Sequence, residues 1–198
     1  MLGKEMSKVS VFIDGSSLYF GLQRNRIKTR VNYYELAKAL VGPDRELFRA
    51  YYFNSAYDPN LSPDKFQGQQ SFLESLEKTP YLETRYGRIF PAREGGFKEK
   101  GTDVLMACEM VYHAARGKID TAVVITENTD LVSALTNVKD LGIHVELALF
   151  QDEKIKELIR IADRIIPLKE VFEKFADKIN PPKVEEKVED SVEVKPVK

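Results

Sequence analysis

Val9-Ser10-Val11-Phe12-Ile13-Asp14-Gly15-Ser16-Ser17-Leu18-Tyr19 changes character at one point, Asp14. The residues before it form a short, almost wholly apolar run. That composition predicts a strand covered on both faces, as in a parallel sheet. Asp14-Gly15 then breaks the run with a turn. Ser16 or Ser17 is placed to cap a following helix, with Leu18, Tyr19 and Leu22 on its apolar side. In α/β sheets, ligands bind at the carboxyl ends of such strands.

Downstream the alternation repeats. Asn32 is placed to cap a helix that Gly42-Pro43 ends. Residues 47–53 are rich in aromatics and read as a second strand. Pro63 opens a helix to about residue 78, with Phe66, Phe72, Leu73 and Leu76 available for packing. Residues 82–90 have a strand composition with many polar side chains. Residues 100–116 read as a helix stopped by Gly117, with Val104, Ala107, Val111 and Ala114 as its apolar stripe. Then come a strand at 121–126, a helix at 129–141 closed by Gly142, and a strand at 145–150. A short helix at 154–162 and a strand at 164–168 follow, and residues 169–178 end the globular part. Strands alternating with helices predict an α/β fold with helices on both faces of a parallel sheet. Right-handed crossovers put every strand's carboxyl end on one edge. One domain is expected over 8–180. After Pro181-Pro182 lysines and acids dominate, with no aromatic or leucine, so 181–198 is expected to be a disordered charged tail.

The chain has 198 residues and is 43% hydrophobic, enough for a real core. Its formal net charge of -1 excludes a global basic field, so nucleic-acid binding must rest on local patches. Cys108 is the only cysteine, which excludes an intrachain disulfide and a cysteine zinc cluster. It is expected to pack inside its helix as a small apolar residue. The first residues lack a secretory pattern and no apolar run is long enough to cross a bilayer. A soluble cytoplasmic protein with no membrane partner is expected.

Three carboxylates fall at structural transitions. Asp14 ends the first strand, Asp103 lies in the first turn of a helix, and Asp130 begins the helix after the 121–126 strand. A crossover helix runs antiparallel to its strands, so all three converge on one edge if the first strand and the 121–126 strand are neighbours. Clustered carboxylates raise one another's pKa unless a cation lies between them. Oxygen donors of this kind suit magnesium or manganese, which can activate water and hold a phosphodiester in line for hydrolysis. Asp at a helix start also serves simply as a cap and a partner for the dipole. Arg24, Arg26, Lys28 and Arg30 read as ordinary charged surface. Arg85, Arg88, Arg93, Lys98 and Lys100 recur among Tyr81, Tyr86, Phe90 and Phe97 and lead directly to Asp103, a pattern suited to phosphates and unpaired bases. His113 and His144 lack metal-ligand spacing and fit packing or surface roles. There is no Ser/His/Asp set and no P-loop, and Gly95-Gly96 lacks a phosphate-binding pattern.

Phe12-Ile13-Asp14-Gly15-Ser16-Ser17-Leu18-Tyr19, Lys100-Gly101-Thr102-Asp103-Val104 and Ile125-Thr126-Glu127-Asn128-Thr129-Asp130-Leu131 together resemble the NYN domain family, a branch of the PIN-like nucleases, and its LabA-like members in particular. The motif order fits across roughly 8–168. The resemblance implies a three-layer α/β/α sandwich with a central, mostly parallel sheet. It also implies a Mg2+- or Mn2+-dependent endoribonuclease acting on single-stranded or structured RNA. By that resemblance Asp14, Asp103 and Asp130 are metal ligands and, with Asn128, the catalytic set. Lys100 becomes a phosphate contact and Ser17 a polar contact to substrate or to Asp14, and on the reading of the basic stretch Arg93, Lys98 or Lys100 would steer the RNA backbone. A homo-oligomer is compatible with the family, and no residue pattern fixes one. Three positions depart from the family pattern. Ser17 stands where Asn is usual and still offers a hydroxyl. Glu109 stands where Asp is frequent. Asn128 stands where the first of two aspartates is common; its amide carries no charge and cannot act as a base. Two readings therefore remain: a working three-carboxylate site with Asn128 positioning water, or a catalytically weak or inactive NYN fold that serves as an RNA-binding or regulatory module.

Overall fold

The central strand β1 (Ser7–Asp14) is buried from Val9 onward. Val9, Val11 and Ile13 enter one core while Phe12 enters the other, so the apolar run serves both faces of a sheet. The computed structural model describes residues 6–92, 95–150 and 155–180. Its elements, in chain order after β1, are α1 (Gly15–Arg24), α2 (Tyr33–Val41), β2 (Arg45–Tyr57), α3 (Pro63–Glu77), β3 (Leu82–Pro91), β4 (Phe97–Lys100) and α4 (Thr102–Ala115). Then follow β5 (Thr121–Ile125), a 3-10 turn (Thr129–Leu131), α5 (Val132–Asp140), β6 (His144–Leu149), α6 (Lys156–Ile161), β7 (Arg164–Pro167), α7 (Leu168–Lys174) and α8 (Ala176–Ile179).

The sheet has seven strands in the order β4-β3-β2-β1-β5-β6-β7. Every pairing is parallel except β3 with β4. The chain builds outward through β2 and β3, then returns to the other side of β1 through β5, β6 and β7. Strand order thus reverses between β1 and β5, whose register runs from Val9 opposite Thr121 to Ile13 opposite Ile125. Residues of α1, α2, α7 and α8 fill the core on one face, and those of α4, α5 and α6 fill it on the other. This is the expected α/β/α sandwich. No helix among the described residues is long and apolar enough to cross a membrane.

Several local expectations are corrected. The cap of α1 is Asp14, whose side chain accepts from the amides of Ser16 and Ser17; the serines are capped and do not cap. Tyr19 is on the outer side of α1, with Leu18 and Leu22 buried. Phe72 is exposed, and Leu73 and Leu76 alone of the expected α3 residues are buried. The helix expected at 100–116 starts two residues later, and Phe97–Lys100 forms the additional strand β4. Gly95 and Gly96, with φ of 90° and 80°, make the turn that folds β4 back onto β3. The buried stripe of α4 is Thr102, Met106, Met110 and Ala114, while Val104 and Cys108 face outward. Thr102 fixes that rotation through a 2.6 Å hydrogen bond with Ser55 of β2. The helix expected at 129–141 divides into the 3-10 turn and α5, and residues 169–178 form α7 and part of α8. Lys154, Arg93 and the tail at 181–198 lie outside the described residues.

At the amino-terminal side of the sheet, Glu146 of β6 is buried and ion-paired with Arg45 at 2.9 Å, which also donates to the carbonyls of Leu40 and Val41. Arg164 lies 3.4 Å from the same carboxylate oxygen. Glu146→Ala would leave the half-buried Arg45 without its counter-charge. A loss of about 3 kcal/mol in urea unfolding is expected; a loss indistinguishable from zero would show that water replaces the carboxylate fully.

Candidate active site at the β1–β5 edge

Asp14 stands at the carboxyl end of β1, beside the end of β5, and is buried. One of its oxygens, Oδ1, accepts from the Ser16 and Ser17 amides at 3.1 and 3.2 Å. The other, Oδ2, accepts from the hydroxyls of Ser17 at 2.5 Å and Thr126 at 3.1 Å. A carboxylate offers about four lone-pair directions, and all are taken here. The bonds continue across the edge: Glu127 N donates to Ser17 Oγ at 3.0 Å, and Asn128 N donates to Thr126 Oγ1 at 3.1 Å. Arg24 of α1 pairs with Glu127. The loop after β5 is therefore bolted to the start of α1 through Asp14.

That loop presents Asn128 and Asp130. The Asn128 Oδ1 accepts from Asp130 N at 3.0 Å and caps the 3-10 turn. Because a backbone amide can only donate, this bond fixes which end of the Asn128 side chain is oxygen. Its Nδ2 is thus the end left for the polar influence of Asn128 on the Asp103 carboxyl. Asp103 lies in the first turn of α4, exposed but partly desolvated. Desolvation is the main cause holding its carboxyl above the usual range, and the charges of Asp14, Glu99 and Asp130 push it the same way. The Asn128 amide pulls it back down. Asp14, Asp103, Asn128 and Asp130 thus share one edge and one electrostatic field, at the point where strand order reverses.

A family model described as the NYN domain matches residues 8–169. The chain belongs to the NYN domain family. Membership brings a PIN-like nuclease fold, in a family that generally uses divalent metals and binds RNA. The fold is also similar to that of a protein of unknown function from Vibrio parahaemolyticus, with a TM-score of 0.65, 14% identity, and coverage of 86% of this chain and 98% of that one. A putative oxidoreductase from Parabacteroides merdae is matched at a TM-score of 0.32 and 8% identity, covering 85% of this chain and 29% of that one; a likeness this slight carries no argument. No curated protein matches.

The donor chemistry of this NYN site is all hard oxygen. Among the described residues, however, no group of three or more His, Cys, Asp or Glu side chains closes on one point as a ready metal cage. Asp14 has its lone pairs filled, so it reaches a cation only through an intervening water or by releasing a hydroxyl. A hydrated ion fits: Mg2+ keeps several waters and takes one or two carboxylates, and Asp103 and Asp130 are the two whose carboxylates are not filled by hydrogen bonds from described residues.

Other expected site residues fall elsewhere. Ser17 is committed to Asp14 and Glu127. Glu109 is held by Arg85 at 2.5 Å and His113 at 3.1 Å, which makes it a brace between α4 and β3. Lys98 and Lys100 leave β4 on the face opposite Glu99, and stand across from Phe90 and Arg88. Arg88, Lys98 and Lys100 have no carboxylate at ion-pair distance among the described residues. Like charges directly opposed across a ladder are destabilising, and a polyanion laid on that face relieves them. Two contributors escaped the sequence reading. Thr126 lies inside a motif yet reads as mere strand, and Glu99 acquires meaning only once β4 exists.

Proposed function

We propose that this NYN domain hydrolyses RNA phosphodiester bonds at the β1–β5 edge, as an endoribonuclease dependent on Mg2+ or Mn2+. The observation that carries the reading is Asp103, which sits in the fields of Asp14 and Asp130, brought from separate elements to the strand-order reversal. Asp103 and Asp130 would hold a hydrated ion, which would neutralise phosphate charge and make water a better nucleophile. Asp14 orients the β5 loop through Ser17 and Thr126. Asn128 orients Asp103. Lys98, Lys100 and Arg93 contact the backbone of the bound strand.

Labelled single-stranded RNA incubated with Mg2+, with Mn2+ or with chelator tests the reaction. Products are expected only with metal, and Asp103→Asn is expected to lower the rate by about 100-fold. Equal products in chelator, or none from any RNA, overturn the proposal. For the hairpin, Lys98→Ala and Lys100→Ala are each expected to weaken RNA binding and to reduce the slope of log affinity against log salt by about 1. An unchanged slope removes them from the interface.

A second reading has its own support. The neutral Asn128 amide acts to hold the Asp103 carboxyl down, which lowers the site's demand for a cation. On that reading the chain is a weak or silent NYN module that binds RNA.

A further inference from the structure

Beside the acid edge, on the α1 side of the sheet, lies a cavity of about 360 Å³. Its walls include Tyr19, Phe20, Tyr33, Tyr52 and Phe72, with Asn54 alongside Tyr52 on β2. None of its lining residues is charged. Gly15 and Ser16, the residues that follow Asp14, are also part of the wall, so cavity and acid cluster share a partition. That partition is thin: a Cβ on Gly15 would stand 2.3 Å from the Tyr52 hydroxyl.

Two features of the cavity are unexplained by folding. Tyr19 and Phe20 are adjacent, 46% and 55% exposed, and set edge to face with centroids 5.4 Å apart. Two large rings left side by side in water present stacking surface that the core does not use. The second feature is the Tyr52 hydroxyl, in a residue only 2% exposed. Asn54 Nδ2 donates to it at 3.1 Å, and the Tyr33 ring meets the Tyr52 ring edge to face with centroids 4.9 Å apart. The second hydrogen of Asn54 Nδ2 has no acceptor among the described residues. The base of the cavity thus offers a neutral amide donor.

We infer that this cavity is a subsite for one unpaired nucleobase of a bound RNA, the base next to the phosphate at the acid edge, and that it favours the keto oxygens of uracil over adenine. The inference takes its substrate class from the function proposed above. Neutral aromatic walls suit a base and not a phosphate, and stacking on side chains accepts any base. The amide donor supplies the preference: it meets the exposed carbonyl oxygens of uracil, whereas adenine accepts only at ring nitrogens, N1 and N7 of which have the amino donor beside them.

The test is fluorescence anisotropy in chelator with labelled octauridine and octaadenosine, on wild type, the double variant Tyr19→Ala/Phe20→Ala, and Tyr52→Phe. Both exposed rings can be removed without opening the core, and thermal melting checks this. Octauridine is expected to bind wild type more tightly than octaadenosine. The double variant should bind octauridine about tenfold more weakly at an unchanged melting temperature, and Tyr52→Phe should narrow the preference. Unchanged binding in the double variant overturns the subsite, even if the wild type cleaves RNA. Ring-dependent octauridine binding without any cleavage supports the subsite and counts against the nuclease alone. Failure to bind either oligonucleotide overturns the subsite.

Discussion

Asp14→Ala is expected to cost about 3 kcal/mol of folding stability, whereas Asp14→Asn costs less than about 1 kcal/mol. The alanine removes a helix cap and strands four donors: two amides of α1 and the hydroxyls of Ser17 and Thr126. Asparagine keeps Oδ1 for the two amides. Its Nδ2 then faces two hydroxyls, and a hydroxyl can turn from donor to acceptor. It also removes one of the negative charges that hold Asp103 high. Urea unfolding of both variants measures the difference, and equal losses would show that the charge and not the bonding holds the edge together. Activity should separate from stability. Asparagine keeps the scaffold and loses the charge, so RNA cleavage should fall by about 100-fold in a well-folded protein.

How far a site can be read without coordinates depends on what fixes each residue. The meeting of Asp14 with the 128–130 loop follows from connectivity: short apolar strands need cover on both faces, crossovers are right-handed, and a sheet so built places its strand ends together. The adjacency of β1 and β5, inferred from topology, is observed. The rotation of α4 has a different origin. Val104, Leu105, Met106, Ala107, Cys108, Met110 and Val111 put apolar groups on every side of that helix, so periodicity selects no face. The choice is made by Thr102, which bonds Ser55 47 positions earlier and packs where Gly87 leaves room. No local pattern holds that information. The same is true of β4, whose residues are exposed throughout and carry no hydrophobic alternation. Its existence turns Lys98 and Lys100 away from Glu99 and onto the face that Arg88 shares. Asp14 as cap is a subtler case. Aspartate and serine are both good caps, and the backbone turn at Asp14, extended at φ -72° and ψ 107°, places the cap two residues before Ser16 and three before Ser17.

Asn128→Asp is expected to change both stability and activity, in directions that depend on metal. The Asn128 oxygen accepts from Asp130 N, and its neutral amide acts to lower the Asp103 carboxyl's pKa. An aspartate keeps the bond from Asp130 N and sets a second carboxylate against Asp103. Asp103 is already held above the usual carboxylate range, so ionising it costs folding stability. Its contribution is full at pH values below the unfolded carboxylate pKa near 4 and is lost as pH rises through the raised folded value. The variant enlarges that loss. In chelator at neutral pH its melting temperature should fall below that of wild type, and the gap should close as pH drops toward 4. Millimolar Mn2+ or Mg2+ should reverse the order, because a cation between paired carboxylates converts repulsion into binding. If the wild-type site is short of one charge, cleavage of single-stranded RNA should rise at least about tenfold with the added carboxylate. A variant that gains metal-dependent stability but no cleavage identifies the chain as an NYN module whose RNA binding is its function. A variant with no metal response at all removes the cation from this edge, and with it the hydrolytic reading.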